Sequence, residues 1–381
     1  AGSSGKQRKV SGEEKIESVL REFLERKRIN RRDFLKGCGV LAMVLGLSQV
    51  DGAAKVALAL ATKPRPPVIW LSLQDCTGCT ESLTRSQSPQ LLNLILSDLS
   101  LDYHETLQAA AGAGAEESRL ATMRDYAGKY VLVVEGSPTP QDGGVYCAIG
   151  GRSNIDLLKE TAASAAAVVA VGNCACFGGI PGARQSPSGG VGVRDILGSG
   201  VVNIAGCPPI AEAITATFAH LLVFDRLPEL DGLGRPLETY RNTIHDRCVR
   251  RTFYDSGQYA KNFDDQGAKQ GYCLYLLGCK GPTTYNACPT LRWNGGVSYP
   301  IQSGHPCLGC SEPHFWDGGG FYAGQSAPLA SPSGVITAVA IAAGAALGVG
   351  AILAGRAKNH TTSSHAAPPP SERSSQEEKT P

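Results

Sequence analysis

The sequence predicts an α/β protein: a doubly wound parallel sheet, then an irregular cysteine-rich segment, then an apolar helix long enough to cross a membrane. Three observations carry this expectation. Short apolar runs at 68–73, 130–134, 166–171 and 201–205 have the composition of strands buried on both faces. Helical stretches lie between them, as at 91–99 and 154–165, and strand alternating with helix is the pattern of parallel sheets, whose ligands sit at the strands' carboxyl ends. Beyond about Asp225 the periodicity fades, and Gly, Pro, Cys and aromatic residues crowd together as far as Tyr322. A segment that buries little by regular packing needs another staple, and its cysteines are the available one.

The 381 residues, 42% of them hydrophobic, can fill one large core or two ordinary ones. Two globular domains are expected, at 60–225 and 226–325. The 36 basic and 34 acidic side chains leave a net charge of +2 with no basic stripe, and aromatics are only 6%. That balance argues against a nucleic-acid-binding module. Thirteen cysteines in so long a chain suit metal ligation better than a small disulfide-stapled scaffold.

The two ends carry addressing signals. Residues 1–59 are laid out as a twin-arginine export signal: a polar basic stretch, Arg31-Arg32-Asp33-Phe34-Leu35-Lys36, an apolar run from Gly37 to Val50, and Ala57-Leu58-Ala59 as the small-x-small cleavage motif. The mature chain then begins near Leu60. Asp51 and Lys55 interrupt the apolar region, and the alternative is a basic amphipathic helix of a cytoplasmic protein. Residues 335–355 hold no charge over 21 positions and are followed by Arg356 and Lys358. That length spans the hydrocarbon core, with Gly344 and Gly348 as a small-residue face for helix contact. A buried soluble helix is the alternative. The basic residues after the span place the C-terminus in the cytoplasm and the body outside, in agreement with the export signal. Residues 359–381 have the composition of a disordered tail.

The cysteines fall into three groups. Cys76-Thr77-Gly78-Cys79 follows the first strand, and Cys174 and Cys207 follow two later ones, so four thiols share one sheet edge. Four converging thiolates suit a 4Fe-4S cubane, with structural zinc or a redox disulfide as alternatives. His245, Cys248, Cys273 and Cys279 form a second group, by ligand type equally an ordinary zinc site. Cys288, Cys307 and Cys310 form a third. Three thiolates suit a 3Fe-4S cluster or an open-cornered cubane better than closed tetrahedral zinc, and Pro300 between them offers no fourth ligand. Three metal groups in one chain point to an electron wire.

Six stretches are more particular. They are residues 75–82 (Asp-Cys-Thr-Gly-Cys-Thr-Glu-Ser), 101–106, 134–136, 203–209 (Asn-Ile-Ala-Gly-Cys-Pro-Pro), 277–282 and 304–313 (Gly-His-Pro-Cys-Leu-Gly-Cys-Ser-Glu-Pro). On these the chain resembles the small subunit of nickel-iron hydrogenases, of the uptake, membrane-associated type, over nearly its whole length. The resemblance implies a flavodoxin-like domain followed by an irregular iron-sulfur domain. It also implies a proximal 4Fe-4S cluster on Cys76, Cys79, Cys174 and Cys207, a medial 3Fe-4S cluster on Cys288, Cys307 and Cys310, and a distal 4Fe-4S cluster on His245, Cys248, Cys273 and Cys279. Further implied are a large-subunit partner holding the nickel-iron centre, a membrane acceptor that is a cytochrome b or quinone-linked, and a dimer of heterodimers. Asp75 stands where the family usually has Glu and is an alternative proximal ligand. Gly78 occupies the middle of the pair, so the extra proximal cysteines of the oxygen-tolerant branch are missing and an ordinary cubane is expected. Cys38, Cys147 and Cys176 remain unassigned. Two rivals are a quinone-reductase subunit of respiratory complex I, which shares the sheet domain but lacks the second and third groups, and a zinc-stabilised interaction protein without redox role.

Overall fold

The computed structural model describes residues 12–27, 30–62, 66–86, 100–317 and 322–323. The helix expected at 91–99, the apolar span at 335–355 and the tail at 359–381 lie outside them. Among the described residues no helix is long and apolar enough to cross a membrane.

Three helices come first: α1 (Gly12–Lys27), α2 (Arg31–Val44) and α3 (Gln49–Thr62). The sheet then runs β1 (Pro67–Ser72), α4 (Gly78–Thr84), β2 (Ser100–His104), α5 (Ala113–Asp125), β3 (Val131–Glu135), a small hairpin of β4 (Ala148–Ile149) and β5 (Arg152–Ser153), α6 (Asn154–Ala162), β6 (Ala167–Val171), α7 (Gly172–Phe177), α8 (Val193–Leu197), β7 (Val201–Ile204) and α9 (Ala211–Phe224). Four of the five long strands are the apolar runs expected from sequence. The fifth, β2, has only two buried residues of five, which is why it shows no continuous apolar run.

Every pairing among the five long strands is parallel, in the order β2-β1-β3-β6-β7. This is flavodoxin-like winding, with its switch point between β1 and β3. Successive residues of a strand point to opposite faces, and the core divides accordingly. Val68, Trp70, Val133 and Val171 look to one side, toward Ile214 and Phe218 of α9. Ile69, Leu71, Leu132 and Val134 look to the other, toward Leu157 and Leu158 of α6. At about 1.5–3 kcal/mol for each fully buried large apolar side chain, these two layers fix the register. The register sets Ser72 beside Glu135, Glu135 beside Val171 and Val171 beside Ile204. The four strands therefore end in one row.

After Asp225, among the described residues, regular structure is confined to single turns, the longest being five residues at Arg251–Asp255. The described residues nonetheless cluster as one compact unit. Polar ties join the irregular segment to the sheet: Asn173 Nδ2 donates to the carbonyls of Cys310 (3.0 Å) and Glu312 (2.9 Å), and the Tyr240 hydroxyl donates to the Ala205 carbonyl (2.7 Å).

Candidate iron-sulfur sites

The row of strand ends delivers the first group. Only a short link separates β1 from the Cys76 turn, whose Thr77 takes a left-handed conformation (φ 62°, ψ 8°), uncommon for a β-branched residue and a mark of a constrained turn. Cys174 lies in α7 directly beyond β6, and Cys207 in the loop beyond β7. Burial, then the charges of Glu135, Cys174, Cys207 and Cys76, push the Cys79 thiol well above its ordinary value, which places all four thiols within electrostatic reach of one another. Burial raises Cys174 to about 11 and Cys207 to about 12.

Glycines line this space. A Cβ on Gly172 (φ +92°) would lie 2.3 Å from the Cys79 sulfur, and one on Gly179 (φ +52°) 2.5 Å from that of Cys174. A Cβ on Gly78 would approach the Cys76 sulfur to 3.1 Å. The turn thus favours a small residue at the centre of the Cys-x-x-Cys pair.

Beneath the turn lies Glu135, which the sequence alone does not single out within its Val-Glu-Gly match. It is 1% exposed, and its carboxylate accepts from the backbone N–H of Cys79 (2.9 Å) and Thr80 (3.1 Å), from Trp70 Nε1 (3.2 Å) and from the Thr80 hydroxyl. His104 completes the chain. Its Nδ1 accepts from the N–H groups of Thr106 and Leu107, and burial lowers the imidazole to about 4, so the neutral ring carries its proton on Nε2. That proton faces Thr80 Oγ1 at 3.1 Å. The buried carboxylate is thereby fully coordinated, and it fixes the start of α4. Glu135→Ala is expected to orphan several buried donors at about 1–3 kcal/mol each, lowering the melting temperature and the iron content of the purified subunit together. Unchanged melting with full iron would show that the carboxylate does not hold the turn.

Asp75 sits beside this group with one carboxylate oxygen buried and unpartnered, and burial followed by the charge of Glu135 raises it to about 6.

In the second group, Cys279 and Cys248 both raise the Cys273 thiol, which burial first pushes to about 11. Cys248 also acts on Cys279. His245 shares a 3-10 turn with Cys248, and its ring meets Tyr254 edge-on at 4.5 Å. Burial lowers its pKa, aided by Arg251, which keeps the imidazole neutral as ligation requires. N–H groups aim at these sulfurs: Arg250 N at Cys248 and Cys307 N at Cys279, each 3.4 Å.

In the third group Cys288 and Cys307 are buried and Cys310 is half-buried. Cys288 and Cys307 are each 6% exposed, and Cys307 feels the charges of Cys279, Cys310 and Cys288. Burial pushes Cys288 up to about 12, with Cys310 next in effect. Pro300 is exposed in the following turn, its carbonyl accepting from His305 N at 2.8 Å.

The third group borders both of the others. Asn173, next to Cys174 of the first group, donates to the Cys310 carbonyl at 3.0 Å, and the Cys307 N–H points at the Cys279 sulfur of the second at 3.4 Å. All thirteen cysteines are free of disulfides. Among the described residues no three His, Cys, Asp or Glu side chains are close enough to hold a single metal ion, whereas zinc draws each thiolate to about 2.3 Å from one point. Thiols this buried resist ionising alone, and iron would supply the positive charge that lets them. The donor sets fit iron-sulfur clusters. Cys147 is half-buried, and Cys176, buried in the sheet core, donates to the Ala170 carbonyl at 3.5 Å.

Comparison with known proteins agrees. The family model for the C-terminal part of the NiFe/NiFeSe hydrogenase small subunit matches residues 240–323, and that for the NADH ubiquinone oxidoreductase 20 Kd subunit matches 76–221. The uptake hydrogenase small subunit of Azotobacter vinelandii is 48% identical over 302 residues, 79% of this chain and 84% of the relative. The hydrogenase-1 small chain of Citrobacter freundii is 49% identical over 310 residues, 80% and 82% of the two chains. Among solved structures, a [NiFeSe]-hydrogenase chain of Dm. baculatum aligns with a TM-score of 0.64 at 34% identity, covering 69% of this chain and 100% of that one. The recombinant [NiFeSe] hydrogenase of Desulfovibrio vulgaris Hildenborough aligns at 0.62 and 38% identity, covering 69% and 99%. Fold and thiol groups define a redox subunit built on a flavodoxin-like sheet. The chain belongs to the small-subunit family of nickel-iron hydrogenases, uptake type, and is part of a hydrogen-oxidising oxidoreductase. The match at 240–323 sets it apart from the rival reading as a complex I component.

Proposed function

We propose that this chain conducts electrons in the order Cys76 group, Cys288 group, Cys279 group, from a nickel-iron centre in a large subunit to an acceptor at the membrane. The supporting observation is the position of the third group, whose Cys310 carbonyl receives Asn173 Nδ2 beside Cys174 (3.0 Å) and whose Cys307 N–H points at the Cys279 sulfur (3.4 Å). Cys76, Cys79, Cys174 and Cys207 would hold a 4Fe-4S cluster, Cys288, Cys307 and Cys310 a 3Fe-4S cluster, and His245, Cys248, Cys273 and Cys279 a second 4Fe-4S cluster. Bound there, the clusters supply reversible one-electron steps at potentials set by ligand, hydrogen bonding and exposure. The N–H groups of Arg250 and Cys307 tune the second group by donating to its sulfurs. Asp75 is an alternative ligand in the first group.

The same reading makes residues 1–59 an export signal, 60–225 and 226–325 the two functional domains, 335–355 a membrane helix and 359–381 a free tail. It places the body on the outer face, next to a cytochrome b or quinone-linked acceptor, in a dimer of heterodimers. The cytoplasmic face is the alternative.

Metal analysis with electron paramagnetic resonance of the purified heterodimer tests the clusters. Iron in place of zinc and a 3Fe-4S signal in the oxidised enzyme are expected. Pro300→Cys should convert that signal to a cubane's and lower its potential. Absence of any 3Fe-4S signal from the oxidised parent would overturn the assignment of the Cys288 group.

A further inference from the structure

Helix α9 is apolar nearly all round, with residues 211, 213–220 and 222 buried. A helix without a polar face must be covered on every side. The sheet core takes one side, and α4 touches another. The remaining side meets α2 and α3, which also pack on each other. Leu45 at the end of α2 shares a cleft with Ala216, Thr217 and His220 of α9, and Met43 lies against Glu238 and Thr239 beyond it. Cys38, Leu41, Ala42 and Val56 of this hairpin are completely buried. Asp51 and Lys55, which interrupt the apolar sequence, fall one turn apart on the exposed face of α3.

The motif that would address the chain for export is engaged in the same assembly. Phe34 is 3% exposed and packs on Phe23 of α1 with ring centroids 5.8 Å apart. Both guanidinium nitrogens of Arg31 bond the carboxylate of Glu17, also of α1. Ala57, the first residue of the cleavage motif, is 2% exposed within α3, whereas a peptidase needs extended, accessible backbone.

We propose that the side of α9 left open by the sheet and α4 is a binding site for the chain's own export segment: the α2–α3 hairpin seats there, and α1 packs over Phe34 and pairs with Arg31. While the segment is seated, Phe34 and the cleavage motif are out of reach, whereas the Arg31 and Arg32 side chains stay exposed to solvent. Receptor and peptidase gain access through the unseated population, and anything that releases the hairpin raises export competence. This rests on the reading of residues 1–59 as an export signal.

Cys38 reports the seat. The uncleaved full chain, purified with its large subunit, is treated with N-ethylmaleimide, and the Cys38 peptide is followed by mass spectrometry. Labelling is expected to be at least about tenfold slower than in Leu41→Asp, a change confined to the hairpin that drives it off α9. Equal rates would overturn the proposal. Glu17→Ala with Phe23→Ala opens α1 alone and should raise binding to inverted membrane vesicles carrying the twin-arginine receptor by a similar factor. Unchanged binding would overturn the masking of the motif. A control separates this from the export reading itself: if adding Arg31→Lys and Arg32→Lys to the opened Glu17→Ala, Phe23→Ala variant leaves its vesicle binding unchanged while Cys38 stays protected, the hairpin is seated but the segment is not an export signal.

Discussion

Replacing His245 by cysteine is expected to slow delivery of electrons to an external acceptor by on the order of tenfold or more, while hydrogen-deuterium exchange at the large subunit persists. Burial and Arg251 lower the imidazole's pKa, and on the proposed assignment a neutral imidazole would leave the cluster with one negative charge fewer than four thiolates give, which favours its reduced state. Adding a thiolate lowers the one-electron potential, and each drop of about 59 mV shifts the equilibrium tenfold against reduction. Dye reduction and isotope exchange measured on the same preparation check this. Loss of both together would mean that His245, whose ring is braced by Tyr254 at 4.5 Å, is needed for the fold instead.

A change of comparable size is expected at the other end of the chain. Arg31→Lys with Arg32→Lys should leave the subunit and its partner inside the cell, reducing export at least about tenfold, because a lysine ammonium lacks the planar fork of donors that a guanidinium presents. In the seated segment the Arg31 fork is engaged by Glu17, so that pairing must open for Arg31 to be read. Cell fractionation and protease shielding of intact cells measure the outcome. Deleting residues 335–381 should, in contrast, release active heterodimer from the membrane without loss of iron. A body shielded in intact cells, with an uncut N-terminus on the purified chain, would place the enzyme in the cytoplasm.

Much of this architecture is written locally. The strands β1, β3, β6 and β7 are buried on both faces, so each is a run of apolar side chains that can be read directly. The strand β2 could not be read that way, because as an edge strand it exposes part of one face and its Asp102 and His104 break the run. The cysteines are legible as three groups by spacing and by their places after strands, but the nearness of the third group to the first, tied through Asn173 and the Cys310 carbonyl, is encoded by no local pattern. Glu135 was hidden for a related reason. A glutamate at the end of an apolar run looks like a strand terminus, and only the fold brings the N–H groups of Cys79 and Thr80 to it. The Arg31-Arg32 motif is visible in the sequence but the packing of α2 and α3 on α9 is not, because the need to cover α9 becomes visible only when that helix is found buried nearly all round.

The pairing of Ser72, Glu135, Val171 and Ile204 across the sheet also limits what length changes the protein tolerates. One residue added inside β6 would carry Cys174 forward by about 3.3 Å and turn the following side chains to the opposite face. The same holds for Cys76 after β1 and Cys207 after β7. Insertions are therefore excluded from the strands, whereas the exposed turn at 126–129, which leads from α5 into the start of β3 and so lies at the strand end away from the cysteines, can vary in length without moving a sulfur. Natural variants of this subunit should differ in length there and keep the strand-to-cysteine spacings fixed.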